Sequence, residues 1–167
     1  GKGIPTSFDG EILVPFAIES SLSGVGRILG ENKNLWYQRS FIIPSKWKGK
    51  KILLHFGAVD WKTEVWVNNI KVGEHTGGFT PFSFDITQAL DGSKNTLVVK
   101  VWDPTDKGTQ PRGKQVSQPR GIWYTPVSGI WQTVWLEPVA DHYITNVRTT
   151  PDIDTNGVKV KVETDND

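Results

Sequence analysis

The chain contains neither cysteine nor methionine. Without Cys, disulfide and thiolate chemistry are excluded, and cysteine usage carries no information on compartment. No apolar run approaches the roughly 20 residues a membrane helix needs, so no membrane partner is expected. Charge of one sign is also missing: 19 basic and 18 acidic residues leave a net +1. With no basic run or stripe, a nucleic-acid partner is not expected. No signal peptide opens the chain, which starts at Gly1 and reads as an excised segment, so the compartment is hidden. Internal repeats and low-complexity segments are absent, and Ala is scarce.

What the chain does have is eight Trp and 17 Gly in 167 residues. Trp favours strands and Gly favours tight turns, so an all-β domain is predicted. The length suits one domain with the start of another, burying roughly two thirds of the unfolded surface.

The stretch 121–137 organises the rest. It holds three Trp, Trp123, Trp131 and Trp135, and runs from a Pro- and Gly-rich bend into a strand pattern. From Ile130 onward, Ile130, Gln132, Val134 and Leu136 point one way and Trp131, Thr133, Trp135 and Glu137 the other. Neither face is polar throughout, which predicts a central strand covered on both sides, closed by Pro138. The bend before it either seals the end of a sandwich or lines a sugar site.

Taken in order, residues 1–30 are irregular and read as an arm laid across a sheet. Leu35–Ile43 and Ile52–Phe56 are strands, the second apolar enough to be central. Gly57–Trp61 is a bend in which Asp60 is expected to bond turn amides, with a ligand role as the alternative. Thr63–Val67 and Ile70–Gly73 flank Asn68-Asn69, a pair that tolerates positive φ and signals a two-residue hairpin. A short strand at Phe82–Phe84 and one helical turn from an Asp85 cap to Leu90 follow. Thr96–Trp102 is a strand that Asp103-Pro104 stops. Strands at Ile144–Thr150 and Val158–Val162 close the chain. Short strands with turns between them and almost no helix predict a sandwich or jelly roll.

Residues 103–120 form a loop long enough to suggest function. Arg112, Lys114, Gln115 and Arg120 could recognise a carboxylated sugar, since Arg matches carboxylate bidentately; a solvated loop, or one that orders only on a further domain, is the alternative. Asp103 and Asp106 could hold a cation, but two Asp without acidic neighbours are slender grounds, and no metal is expected. His55 and His75 show no carboxylate partner and read as packed residues. No Ser-His-Asp arrangement can be argued from spacing.

Five blocks give the chain a more specific wording: Leu35–Arg39, Leu54–Trp61, Val65–Asn68, Gly77–Thr87 and Ser128–Glu137. In that order they resemble the amino-terminal sugar-binding domain of glycoside hydrolase family 2, over about residues 11 to 139. Within it, the wording is similar to β-galactosidase or β-glucuronidase-like proteins of gut Bacteroidetes, which would favour a periplasmic or secreted location. The resemblance implies a galactose-binding-domain-like jelly roll over residues 1–140. It implies that 141–167 are the trailing hairpin of a following immunoglobulin-like domain, with a catalytic (β/α)8 barrel beyond. It also implies a carbohydrate substrate reached through that missing barrel, intramolecular contacts to both neighbours, and no cofactor. The retaining chemistry of the family needs two carboxyls roughly 5 Å apart. The chain has no Asn-Glu-Pro motif and no barrel, so it is expected to be inactive alone.

In many members this domain reaches the active site with an Asp six residues before the Gly of the Ser-Gly pair. Here that position is Trp123. Its ring could offer a stacking platform to a sugar, or it could pack on the next domain. Trp123, Tyr124, Arg112, Lys114 and Asp103 are therefore the expected substrate-binding residues.

Overall fold

The computed structural model describes residues 3–92 and 94–165. Eleven strands are seen in them: β1 (Leu35–Ile42), β2 (Lys51–Phe56), β3 (Val59–Asp60), β4 (Lys62–Val67), β5 (Ile70–Thr76), β6 (Phe82–Asp85), β7 (Lys94–Trp102), β8 (Gly129–Ile130), β9 (Val134–Val139), β10 (Ile144–Asp152) and β11 (Gly157–Thr164). Helical structure among the described residues is limited to three single 3-10 turns, one of them at Thr87–Ala89. Asp85 Oδ1 accepts the Thr87 N–H at 2.9 Å there, so its carboxylate starts the turn predicted from sequence.

The strands form an antiparallel sheet of order β1-β7-β4-β5 and a second of order β6-β2-β9, with β3-β8 as a separate ribbon. Alternation decides what each sheet buries. Tyr37, Val65, Val67, Val99 and Val101 from the first meet Ile52, Leu54 and Phe56 from the second in one core cluster. Phe82, Phe84, Val134 and Leu136 pack around it. This is a β-sandwich, as the strand pattern predicted. The central strand β2 is buried on both faces, because Leu53 is covered as well as its neighbours. The arm packs Ile12 and Val14 against the core and buries Ala17, Ile18 and Leu29. The predicted hairpin is present: Asn68 and Asn69 take φ of 50° and 66°, both in the left-handed region a type I′ turn demands.

The organising stretch departs from its predicted form. It is not one central strand but two pieces, β8 and β9, and β9 is a sheet edge. The cause is a shared kink. The Gly57 N–H donates to the Thr133 carbonyl at 2.9 Å, and a Cβ on Gly57 would come within 2.7 Å of Gln132 Cβ. The bare Gly57 lets β2–β3 and β8–β9 bend together, and residues 57–61, expected as a bend, contain the strand β3 instead. Along β9 the alternation survives: Val134 and Leu136 face the core while Trp135 and Glu137 remain exposed. Pro138 does not end the strand but sits within it, which an edge tolerates because a missing N–H there breaks no inner ladder.

Tyr37 fastens the kinked segment to the first sheet. Its hydroxyl accepts the buried Ile130 N–H at 3.1 Å, and burial pushes the phenol well above its ordinary range, so it stays neutral. Tyr37→Phe would leave that N–H without its partner. The expected cost is about 1–3 kcal/mol, read as a lower urea midpoint at unchanged slope.

The hairpin β10–β11 pairs Val147 with Val162, and its valines, with Val158 and Val160, are exposed. Lys51 Nζ ties its base to β2, reaching Asp165 Oδ2 at 3.1 Å and the Asp141 carbonyl at 2.8 Å.

Candidate functional site

Buried polar contacts hold the two ends of the loop from Asp103 to Ser128. Asp103 is 2% exposed. Its Oδ1 accepts the Thr105 N–H at 2.7 Å and its Oδ2 the Ser128 hydroxyl at 2.6 Å. One carboxylate thus clasps the outgoing and returning limbs. Glu19, from the arm, takes the Ser128 N–H at 2.9 Å. Burial, first among several influences, raises the Glu19 carboxyl above its ordinary range.

Inside the loop a short parallel bridge joins Gln115 to Tyr124. The Tyr124 N–H donates to the Lys114 carbonyl at 2.8 Å, and the Val116 N–H to the Tyr124 carbonyl at 3.1 Å. Gln115 accepts the Val127 N–H at 2.5 Å through Oε1 and donates from Nε2 to Asp60 Oδ2 at 3.3 Å. Asp106 accepts from both the hydroxyl and the N–H of Ser117.

This frame presents Trp123, 40% exposed, and Tyr124, 63% exposed. The Arg112 guanidinium lies 5.9 Å from the Trp123 ring centroid and Lys114 Nζ 5.8 Å from that of Tyr124. The structure therefore brings Trp123, Tyr124, Arg112 and Lys114 together as two cation–aromatic pairs. Asp103 does not join them. It is withdrawn from solvent because both its oxygens close the loop, so it supports the rim without facing it. The Asp103 and Asp106 carboxylates, weighed above as cation ligands, are each met by donors of their own chain. Among the described residues no group of three or more His, Cys, Asp or Glu could hold a metal ion.

Asp60 lies in β3, 4% exposed, and is met by the Gln115 side chain where turn amides were expected. Burial and the nearby Asp103 push its carboxyl up to about 7. His55 is not without a carboxylate. Its Nε2 lies 2.9 Å from Glu137 Oε2, its Nδ1 2.6 Å from the Ser83 hydroxyl, and its ring stacks on Trp135 at 4.8 Å. The three polar side chains come from β2, β9 and β6, on one face of the second sheet. His55 and Ser83 are direct cross-strand partners and stitch two strands together. Sequence reading missed this chain because its members are brought together only by strand pairing. His75 stacks on Phe82 at 4.1 Å and faces the Thr80 hydroxyl at 3.3 Å, with no carboxylate at its ring among the described residues.

Residues 14–137 match the family model described as glycosyl hydrolases family 2, sugar binding domain. The chain belongs to glycoside hydrolase family 2. Among curated family 2 relatives, it is 37% identical over 114 residues to a β-galactosidase of Thermoanaerobacter pseudethanolicus, which covers 67% of this chain. It is 30% identical to a putative β-glucuronidase of Formosa agariphila, over 72% of this chain. The chain spans only 14% of the length of either. Among solved structures, the Lactobacillus rhamnosus β-glucuronidase superposes with a TM-score of 0.72 at 28% identity, covering 96% of this chain and 29% of that one. A β-glycosidase from Bacteroides vulgatus does so at 0.58 and 30% identity, over 77% of this chain and 16% of that one. The domain is thus the all-β sugar-binding unit of the family, matched to a small part of much longer proteins.

Proposed function

We propose that this chain is the non-catalytic jelly-roll domain of a larger family 2 glycoside hydrolase whose whole chain hydrolyses a terminal β-linked sugar, a β-galactoside or a β-glucuronide. The observation that carries the reading is the rim loop: Trp123 and Tyr124 stand exposed on a segment closed at its root by a buried carboxylate. Retaining glycosidases need two carboxyls about 5 Å apart facing a substrate. The loop offers no such pair, since Asp103 is buried and Asp106 is engaged by Ser117. Its contribution is then positioning and stacking at the mouth of an active site built elsewhere. On the same reading, β10–β11 opens an immunoglobulin-like domain whose remaining strands cover the exposed valine face.

The test is Trp123→Ala in the full-length enzyme. An aromatic contact is worth about 0.5–1.5 kcal/mol, which predicts kcat/KM on aryl β-glycosides lowered by about 2- to 13-fold with Tm unchanged. Equal kcat/KM for the two proteins would remove the loop from the substrate. A second reading, an autonomous carbohydrate-binding module, draws on the bonds within the loop that hold the backbone of Trp123 to Arg120 and of Tyr124 to Lys114. Calorimetry on the isolated chain separates the two: appreciable glycan binding favours the module, none favours the positioning role.

A further inference from the structure

We infer that Asp60 is the positioning residue of the rim loop: through Gln115 it fixes the segment that carries Trp123 and Tyr124, and it does so best while it holds a proton. The inference rests on the reading of that loop as a substrate rim. The geometry begins with what covers the Asp60 carboxyl. On one side is Gly78, where a Cβ would come within 2.5 Å of Asp60 Oδ1. That cover is pinned: the Trp131 indole N–H donates to the Gly78 carbonyl at 2.8 Å, and the Gly77 N–H donates to the Trp61 carbonyl at 3.3 Å. Gln115 meets the carboxyl too, its amide group reaching Asp60 Oδ2. Gln115 also binds the Val127 N–H, and the adjacent Lys114 carbonyl holds the Tyr124 N–H. Gln115 therefore joins the two limbs of the loop, and Asp60 is where that join is fastened to the sandwich.

The charged groups acting on Asp60 are Asp103, from the end of β7, and Glu19, from the arm. Both are acids. Gln115 supplies a neutral donor to the carboxyl. An ionised Asp60 in this setting has lost water and faces two like charges, with one amide hydrogen bond in return. It regains water by lifting the Gln115 segment, which is fastened to Asp60 through a side chain, and not the pinned Gly78 segment.

The direction follows from linkage. With the loop closed, Asp60 titrates at about 7; hydrated in an open loop it returns to the ordinary carboxylate range. The closed form binds the proton more tightly. Closure is therefore fullest below about pH 4 and weakens roughly tenfold per pH unit as pH rises to about 7, then levels off.

Amide hydrogen exchange on this chain, corrected for intrinsic rates, reads the opening directly and involves no sugar. A failure here is thus distinct from a failure of the glycosidase reading. The wild type is expected to show the Tyr124 and Val127 amides opening about fiftyfold more at pH 7 than at pH 5, with β2 and β7 amides unchanged. Asp60→Asn, neutral at every pH, is expected to abolish that rise. Glu19→Gln, which removes the other raised acid from the arm, is expected to keep it. Should Asp60→Asn fail to fold, Gln115→Ala decides: loop amides lose protection at every pH while the body stays protected. Loop protection independent of pH in the wild type, a rise retained in Asp60→Asn, or wild-type protection in Gln115→Ala would each overturn the inference.

Discussion

Gly129→Ala is expected to destabilise the domain by about 2–5 kcal/mol, the sum of a left-handed backbone penalty and overpacking. Gly129 has φ +84°, a conformation in which a side chain is strained whatever the space around it. Here there is no space either. A Cβ at this position would overlap the Tyr37 hydroxyl and approach Leu35 Cδ2 to 2.8 Å. Tyr37 cannot swing away cheaply, since its ring belongs to the core cluster and its hydroxyl satisfies the Ile130 N–H. The control is Gly30→Ala. Its φ, +82°, is nearly the same, but nothing lies within 4 Å of the added methyl. Only the backbone part, about 1–2 kcal/mol, should be lost there. Urea unfolding of the two variants separates the effects. Equal losses would mean that the contact with Tyr37 yields without cost, and that the clasp between β1 and β8 is looser than the hydrogen bond implies.

Features that depend on neighbours in the chain were legible in the sequence. Asn68-Asn69 announces a turn because positive φ is a property of those two residues, and the alternation in β1, β2, β4 and β7 announces which side chains meet. The exposure of Trp123 and Tyr124 was legible too, since they stand in a loop too rich in Pro and Gly to be buried in a strand. Features that depend on pairing across the sheets were not. Nothing near Gly57 in the sequence says that Gln132 will lie against it, so the kink that divides β8 from β9 was invisible. Nothing near His55 says that Glu137 will stand at its ring. Asp60 and Asp103 are alike in sequence, each beside a strand terminus. Only the fold shows that one sits beneath a glutamine amide while the other closes a loop with two donors. Pro138 misled for a related reason: a proline ends an inner strand but not an edge, and which strands are edges is decided by topology.

Asp103 carries the second large effect. Asp103→Ala would strand the Thr105 N–H and the Ser128 hydroxyl, both buried, and remove a clasp that joins the two ends of the loop. Hydrogen bonds to a charged group contribute about 1.5–3 kcal/mol each, so a loss of about 3 kcal/mol or more is expected, with proteolytic cleavage appearing within 104–127. Asp103→Asn is the informative partner. Its amide oxygen can still accept the Thr105 N–H, and its NH2 can donate to Ser128 once that hydroxyl rotates, so most of the stability should remain. The charge, however, is gone. Asp103 is one of the two acids that hold the Asp60 carboxyl up, so its removal is expected to lower the titration of Asp60 toward the ordinary carboxylate range. The pH range over which the loop loosens would then end earlier, and the total loosening between pH 5 and 7 would shrink. Hydrogen exchange on Asp103→Asn therefore separates the two roles of one side chain. Lost protection at all pH values would mean that the clasp needs the charge itself. Kept protection with an unaltered pH profile would mean that Asp60 owes its raised titration to burial alone. A kept clasp with a shortened profile is the expected outcome, and it would tie the root of the loop to its fastening through the field between two buried acids.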